Sequence, residues 1–167
     1  MATATATAID TTKVTGRRTL HFNTLADIAA DVDQLTKARE IRTLGNWSAG
    51  QVVQHVATTM NKSIDGFNFR VPWPIRLVLP LLLKRRFLTQ TMSAGFKLSG
   101  KAEAEMVSRP ISLEEAVGNF QKAVARLQAE SKREPHPAIG KLTPEEWEQL
   151  HCRHSELHLS FLLPAEK

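Results

Sequence analysis

Cysteine is almost missing from this chain: Cys152 stands alone among 167 residues. No internal disulfide can form, and a reducing, cytoplasmic setting is expected. No run approaches the roughly 18 uncharged apolar residues that a membrane span needs, so no transmembrane segment is expected. The start, MATATATAIDTTK, lacks a basic stretch followed by an apolar core and does not read as a secretory signal. Its Ala/Thr repetition reads as a disordered tail over residues 1–13. Acid is missing from a long interior stretch: residues 68–102 hold seven Lys/Arg and no Asp or Glu. Against a net charge of +5, that leaves the remainder at −2, so the basic character is local. No nucleic-acid reader motif accompanies it, and nucleic acid is not an expected partner. Convincing strand signals are absent too. What is present is helical.

Residues 14–167 read as one domain with enough chain for a full core. Thr24 with Asp27, Ser48 with Gln51, Ser112 with Glu115 and Thr143 with Glu146 each place a capping residue three before a partner that can reach back. Helices are expected over about 25–38, 49–65, 113–131 and 143–163, with Gly66 ending the second and Pro164 the fourth. Their apolar stripes include Ile28, Val32 and Leu35, then Val52, Val56 and Met60, then Phe120, Val124 and Leu127, then Trp147, Leu150 and Leu157. The expected fold is all-α: a four-helix bundle in up-down-down-up order. Residues 67–111 form its long crossover, too long to lack structure. The plain expectation is that the crossover covers one end of the bundle and buries Trp73, Leu77, Leu81 and Leu82. The functional alternatives are an interaction surface, a lid with cations for an anionic ligand, or a contact with a membrane surface.

The fourth helix carries His151, His154 and His158, and the second carries His55 on its inward stripe. A single histidine on an apolar face is ordinarily a satisfied core residue. Two four apart on one helix, facing a third on another, have metal-ligand geometry. His55, His154 and His158 are therefore the candidate metal ligands, and three neutral imidazoles leave a divalent ion its full charge and an open position. His151, one turn earlier, is assigned a place beside the metal, as a substitute ligand, a proton donor or a polar-pocket residue. HSELH is not the metalloprotease HExxH, because Ser155 occupies the place of the catalytic Glu. Glu156 is expected to project away from the histidines, so a general base is unassigned. Cys152 is expected to be half-buried and structural, and His21 and His136 exposed.

Two segments carry a family resemblance. GNWSAGQVVQHVATTMNKSIDGF resembles the W-S-x-x-Q-x-x-x-H helix start of the DinB/YfiT-like metal-binding superfamily. HPAIGKLTPEEWEQLHCRHSELHLSFL resembles its H-P-x-x-G-x-L-T-x-x-E-W…H-x-x-x-H ending, and GFKL with HLSFL suggests an uncharacterised branch. The resemblance implies a metal triad at His55, His154 and His158, zinc or nickel as the metal, and often a homodimer. It also implies thiol-dependent transfer or isomerisation with a small thiol cofactor, or hydrolysis.

The leading expectation is a metal-dependent enzyme that activates a low-molecular-weight thiol or water against a small-molecule substrate. Arg85 and Arg86 are candidate contacts for the cofactor's carboxylates. The competing expectations are a non-catalytic metal- or ligand-binding module that meets a partner through the basic crossover, and a polar histidine core with no metal.

Overall fold

The computed structural model describes residues 8–96, 98 and 100–165. Among them six α-helices form: α1 (Leu25–Lys37), α2 (Ala49–Asp65), α3 (Trp73–Thr89), α4 (Gly100–Met106), α5 (Leu113–Ala129) and α6 (Pro144–Leu159). Two short strands, β1 (Ile41–Thr43) and β2 (Leu162–Pro164), pair antiparallel. The chain is mostly helical, as expected, but four helices do not describe it. The crossover carries two helices of its own, and a small sheet forms where none was expected. Of the tail expected over 1–13, residues 1–7 lie outside the described residues. Ile9 exchanges two hydrogen bonds with the Asn46 side chain, and Thr11–Lys13 form a 3-10 turn.

The helix starts follow local chemistry. The Thr24, Ser48 and Thr143 hydroxyls each accept the backbone N–H three residues on, and Asp27, Gln51 and Glu146 accept the cap's own N–H. Ser112 caps α5 by accepting from Glu115 N–H, without the return bond expected of a capping box. The helix ends are less local. The fourth expected helix was to run to residue 163, but α6 stops at Leu159. Ser160 and Phe161 turn the chain, and Leu162 begins a strand that pairs with Thr43. Pro164, expected to stop a helix, instead sits opposite Ile41 in that two-stranded pair, where its lack of an N–H is tolerated.

α2 packs most extensively along α5 and also against α6; α1 lies against α5 and α6. Their common core includes Ile28, Val32, Leu35, Val53, Met60, Phe120 and Leu159, all buried. A second cluster, Ile139, Leu142, Trp147 and Leu150, seats α3 through Leu83, Phe87 and Leu88. α6 meets α1, α2 and α3, so it is enclosed on several sides. That explains why His151, Cys152, Arg153, Ser155 and Glu156 are buried together with its apolar residues.

The crossover overturns one expectation. Trp73, Leu77, Leu81 and Leu82 do not bury: Leu81 is 85 % exposed and Trp73 71 %. α3 contains no buried residue. It lies on α6 by one edge, held also by an ion pair between Lys84 and Glu146 at 2.7 Å, and turns the rest outward.

Close packing of α2 on the start of α5 rests on Gly50. A Cβ there would lie 2.3 Å from the Ile111 carbonyl oxygen, which is backbone and cannot rotate aside. Gly118, within α5, has no neighbour within 4 Å of such a Cβ. Gly50→Ala is therefore expected to destabilise the fold by about 1–3 kcal/mol. Gly118→Ala is expected to stabilise it by about 1 kcal/mol through helix propensity. Urea denaturation of the two variants beside the parent checks both signs.

Candidate metal centre

His55 lies two turns into α2, on the face that Val52, Val56 and Thr59 turn to the core. His154 and His158 lie one turn apart on α6. Because α2 packs against α6, the three rings meet: centroids are 4.4 Å apart for His55–His158, 4.5 Å for His154–His158 and 5.0 Å for His55–His154. One ligand nitrogen from each lies within 4.8 Å of the other two, so this group could hold a metal ion. The shortest approach, His55 Nε2 to His154 Nε2, is 3.2 Å. That is close to the edge of a tetrahedral site, about 3.3 Å for metal–nitrogen bonds of about 2.0–2.1 Å. His55 is buried, while His154 and His158 are half-buried, so the cluster has an open side.

The ring orientations are fixed from outside the triad. His55 Nδ1 lies 2.7 Å from the Met106 carbonyl oxygen. A carbonyl only accepts, so Nδ1 carries the proton and Nε2 presents its lone pair to the cluster. Met106 ends α4, which is tied to α2 by an ion pair between Glu105 and Lys62, and the turn after it is held by Gln51 Nε2 donating to Ser108 O at 2.9 Å. Trp47 stacks on His158 at 5.8 Å between centroids and leans on His55 at 4.9 Å. The loop that presents Trp47 is pinned by the β1–β2 pair and by Leu44 N–H donating to Phe161 O at 3.0 Å. Neither the Met106 carbonyl nor the Trp47 wall was foreseen as part of the site. The Trp-Ser start of α2 is the one sequence signal that bears on that wall.

Burial holds all three imidazoles below the usual histidine pKa. For His154 and His158 the neighbouring histidines lower it further, since a second positive ring would be repelled. For His55 the bond to Met106 works in the opposite direction. The rings are therefore neutral at pH 7, the form in which a metal ion accepts them.

The other candidates lie apart from the triad or differ from expectation. His151 Nε2 is 3.2 Å from Ser63 Oγ, and its ring stacks on Trp147 at 5.3 Å. Ser63 Oγ–H donates to Met60 O at 2.7 Å, so Oγ accepts from His151, whose proton sits on Nε2. Burial pushes His151 down to about 3, which leaves it neutral and a poor proton donor. Arg85 and Arg86 stand on the exposed side of α3, with no contact to the cluster among the described residues. Cys152 is fully rather than half buried, and burial raises its thiol to about 12. His136 is not exposed: its Nδ1 accepts from Ala138 N–H and Ile139 N–H at 3.1 and 3.2 Å, and burial lowers it to about 4. His21 is exposed, as expected.

Glu156 points away from the histidines and is buried, with Oε1 accepting Phe22 N–H at 2.6 Å and Arg153 Nη2 at 2.7 Å. Arg153 also donates to Phe22 O, so the pair clamps the chain before α1 onto α6. Two residues from both His154 and His158, Glu156 faces another side of the helix, and it supplies no base to the triad.

A family model described as "Protein of unknown function (DUF1569)" matches residues 14–165. No curated protein and no solved structure matches the chain. The matching family is not DinB-like, and it overturns the resemblance to the DinB/YfiT-like superfamily. The two segments that carried that resemblance are largely cap and turn chemistry: Ser48 with Gln51, Thr143 with Glu146, and the His136–Gly140 turn. Such features recur wherever helices start and chains reverse, whatever the family. The homodimer expected from the resemblance loses its basis with it.

The buried neutral histidines give the stability a pH slope. Unfolded imidazoles take up protons below about 6.5, whereas His136 and His151 stay neutral until about 4 and 3. Stability should be complete above pH 6.5 and fall as pH drops from 6.5 toward 4, by up to about 1.4 kcal/mol per pH unit for each such group. In metal-free protein the triad adds to the slope. Urea midpoints at pH 7 and pH 5 check this, and His151→Gln, which keeps a donor to Ser63, should flatten the dependence.

Proposed function

The chain belongs to the DUF1569 family, whose function is unknown, and we propose that it is a metal-dependent enzyme in which His55, His154 and His158 hold one divalent transition ion, zinc or nickel. The observation that carries this reading is the convergence of three neutral imidazole nitrogens within 4.8 Å of one another. A core with no use for a metal has little reason to place His55 Nε2 only 3.2 Å from His154 Nε2 and to turn the His55 lone pair inward with the Met106 carbonyl. When bound, the ion supplies Lewis-acid charge stabilisation and lowers the pKa of a water or small thiol at its remaining position.

The chain's own residues determine what such a site favours. Three neutral donors leave the site formally doubly positive, so an anionic guest is preferred. Trp47 closes one side against water, and the half-buried edges of His154 and His158 leave a way in. Glu156 is committed to Phe22 and Arg153 and is not available to the triad as a general base. Capture of a thiol, acidic enough to lose its proton to solvent, asks less of this site than hydrolysis, which needs a positioned base. A low-molecular-weight thiol attacking a small electrophile is therefore the preferred reaction class, with metal-assisted hydrolysis as its variant. An up-down-down-up bundle of α1, α2, α5 and α6 belongs to the same proposal, supported by the packing of α1 and α2 on both α5 and α6.

Elemental analysis of purified protein tests the reading. Wild type is expected to carry about one equivalent of transition metal, His154→Ala almost none, and His151→Gln about as much as wild type. Equal, negligible metal in wild type and His154→Ala would overturn it. Thiol-dependent turnover of a model electrophile should be present in metal-loaded wild type and at least 100-fold lower in His154→Ala.

A further inference from the structure

The described residues leave one large feature unused by the metal site, the outward side of α3. Ile75, Leu77, Val78, Leu81 and Leu82 stand there at 45–85 % exposure, with Trp73 at the helix start. Phe96, in the loop that follows, is 87 % exposed. Scattered exposed apolar side chains need no explanation, but contiguous ones mark a surface that meets something. The ten residues from Trp73 to Leu82 extend about 15 Å along the helix, as a convex ridge rather than a groove.

The charge around this ridge selects its partner. Residues 68–102 contain seven cations and no acid. Arg70, Arg76, Arg85 and Arg86 are exposed and make no ion pair among the described residues. At about 100° per residue, Arg85 and Arg86 emerge on the same outward side as Leu81 and Leu82, one turn further on. We propose that the outward face of α3 docks this chain on an anionic lipid surface, with the aliphatic ridge entering the headgroup–acyl boundary and the arginines meeting lipid phosphates and carboxylates.

Three observations favour a membrane over other occupants. A second copy docked by the same face would bring Arg76, Arg85 and Arg86 against their own counterparts, with no acid in the segment to neutralise them. A nucleic acid would take the cations but not the aliphatic ridge. A lipid surface accepts a convex apolar helix and an anion-seeking flank together, and long arginine side chains can reach up to the headgroups. Among the described residues no helix is long and apolar enough to cross a membrane, so α3 would lie in the surface plane.

Vesicle flotation with the full chain tests the proposal. Vesicles of phosphatidylcholine with 30 mol % phosphatidylserine, compared with phosphatidylcholine alone, are used at about 0.15 M salt. The wild type should float with the anionic vesicles, at least 10-fold more than with neutral ones. Leu81→Glu combined with Leu82→Glu, and separately Arg85→Glu combined with Arg86→Glu, should each cut binding at least 10-fold. Because these side chains are exposed, the urea midpoint should not change, which separates lost docking from lost folding. Quenching of tryptophan fluorescence by brominated acyl chains should occur in wild type and fall on Trp73→Leu. Absence of anionic-vesicle binding by wild type, or equal binding by wild type and both double variants, overturns the proposal. So does a wild type that ignores vesicles but is a dimer which Leu81→Glu with Leu82→Glu converts to monomer.

Discussion

Imidazoles from two helices can meet only if the helices are held at a fixed separation and rotation, and here that constraint falls on α2. α5 presses on it from one side, closely enough at Gly50 to exclude a methyl group, and α6 lies along another. A turn-sized slip of α2 would carry His55 about 5 Å along the axis and out of reach of His154. The three capping boxes limit fraying where α1, α2 and α6 begin. The Val53, Met60, Phe120 and Leu159 core resists rotation. The site is thus a property of the packing and not of any one helix.

The same packing sets the site's electrostatics. Enclosing α6 on several sides desolvates the rings enough to keep them neutral, while His154 and His158 stay half-buried. It also forces polar residues into the interior, where His151 pairs with Ser63 and Glu156 with Phe22 and Arg153, while Ser155 Oγ has no hydrogen-bond partner among the described residues. The Glu156–Arg153 clamp shows the cost of that arrangement. Two charges are taken out of water, and Glu156 Oε2 and Arg153 Nε have no hydrogen-bond partner among the described residues. Such a pair is weak support for stability but strong specification of geometry, because removing either member strands the other.

Much of this was legible in the sequence wherever the determining chemistry is local. Thr24, Ser48 and Thr143 announce their helices because a cap and its partner lie three residues apart. His154 and His158 announce a shared face because helical spacing alone places them there, and His55 stands out by its stripe. What stayed hidden depends on distant backbone or on burial from several sides. The Met106 carbonyl that orients His55 is 51 residues away and has no side-chain signature. β1 and β2 are three residues each, too short for an alternating pattern. Nothing local marks Glu156 and Arg153 as a buried pair, and only the wrapping of α6 puts them inside. α3 misled in the opposite sense: its leucines read as core, yet the neighbouring surface accommodates only Leu83, Phe87 and Leu88.

The separation of 99 residues between His55 and His154 has a consequence for biogenesis. As the chain emerges from the ribosome, the helix bearing the first proposed ligand is finished long before the helix bearing the other two. Until then that imidazole has no companion and only the weak cation affinity of any lone histidine. Contacts of such range are slow to form, so acquisition of an ion would be among the last events of maturation. The ion would then come from the surrounding pool after tertiary closure, and not template the fold as it does in a zinc finger.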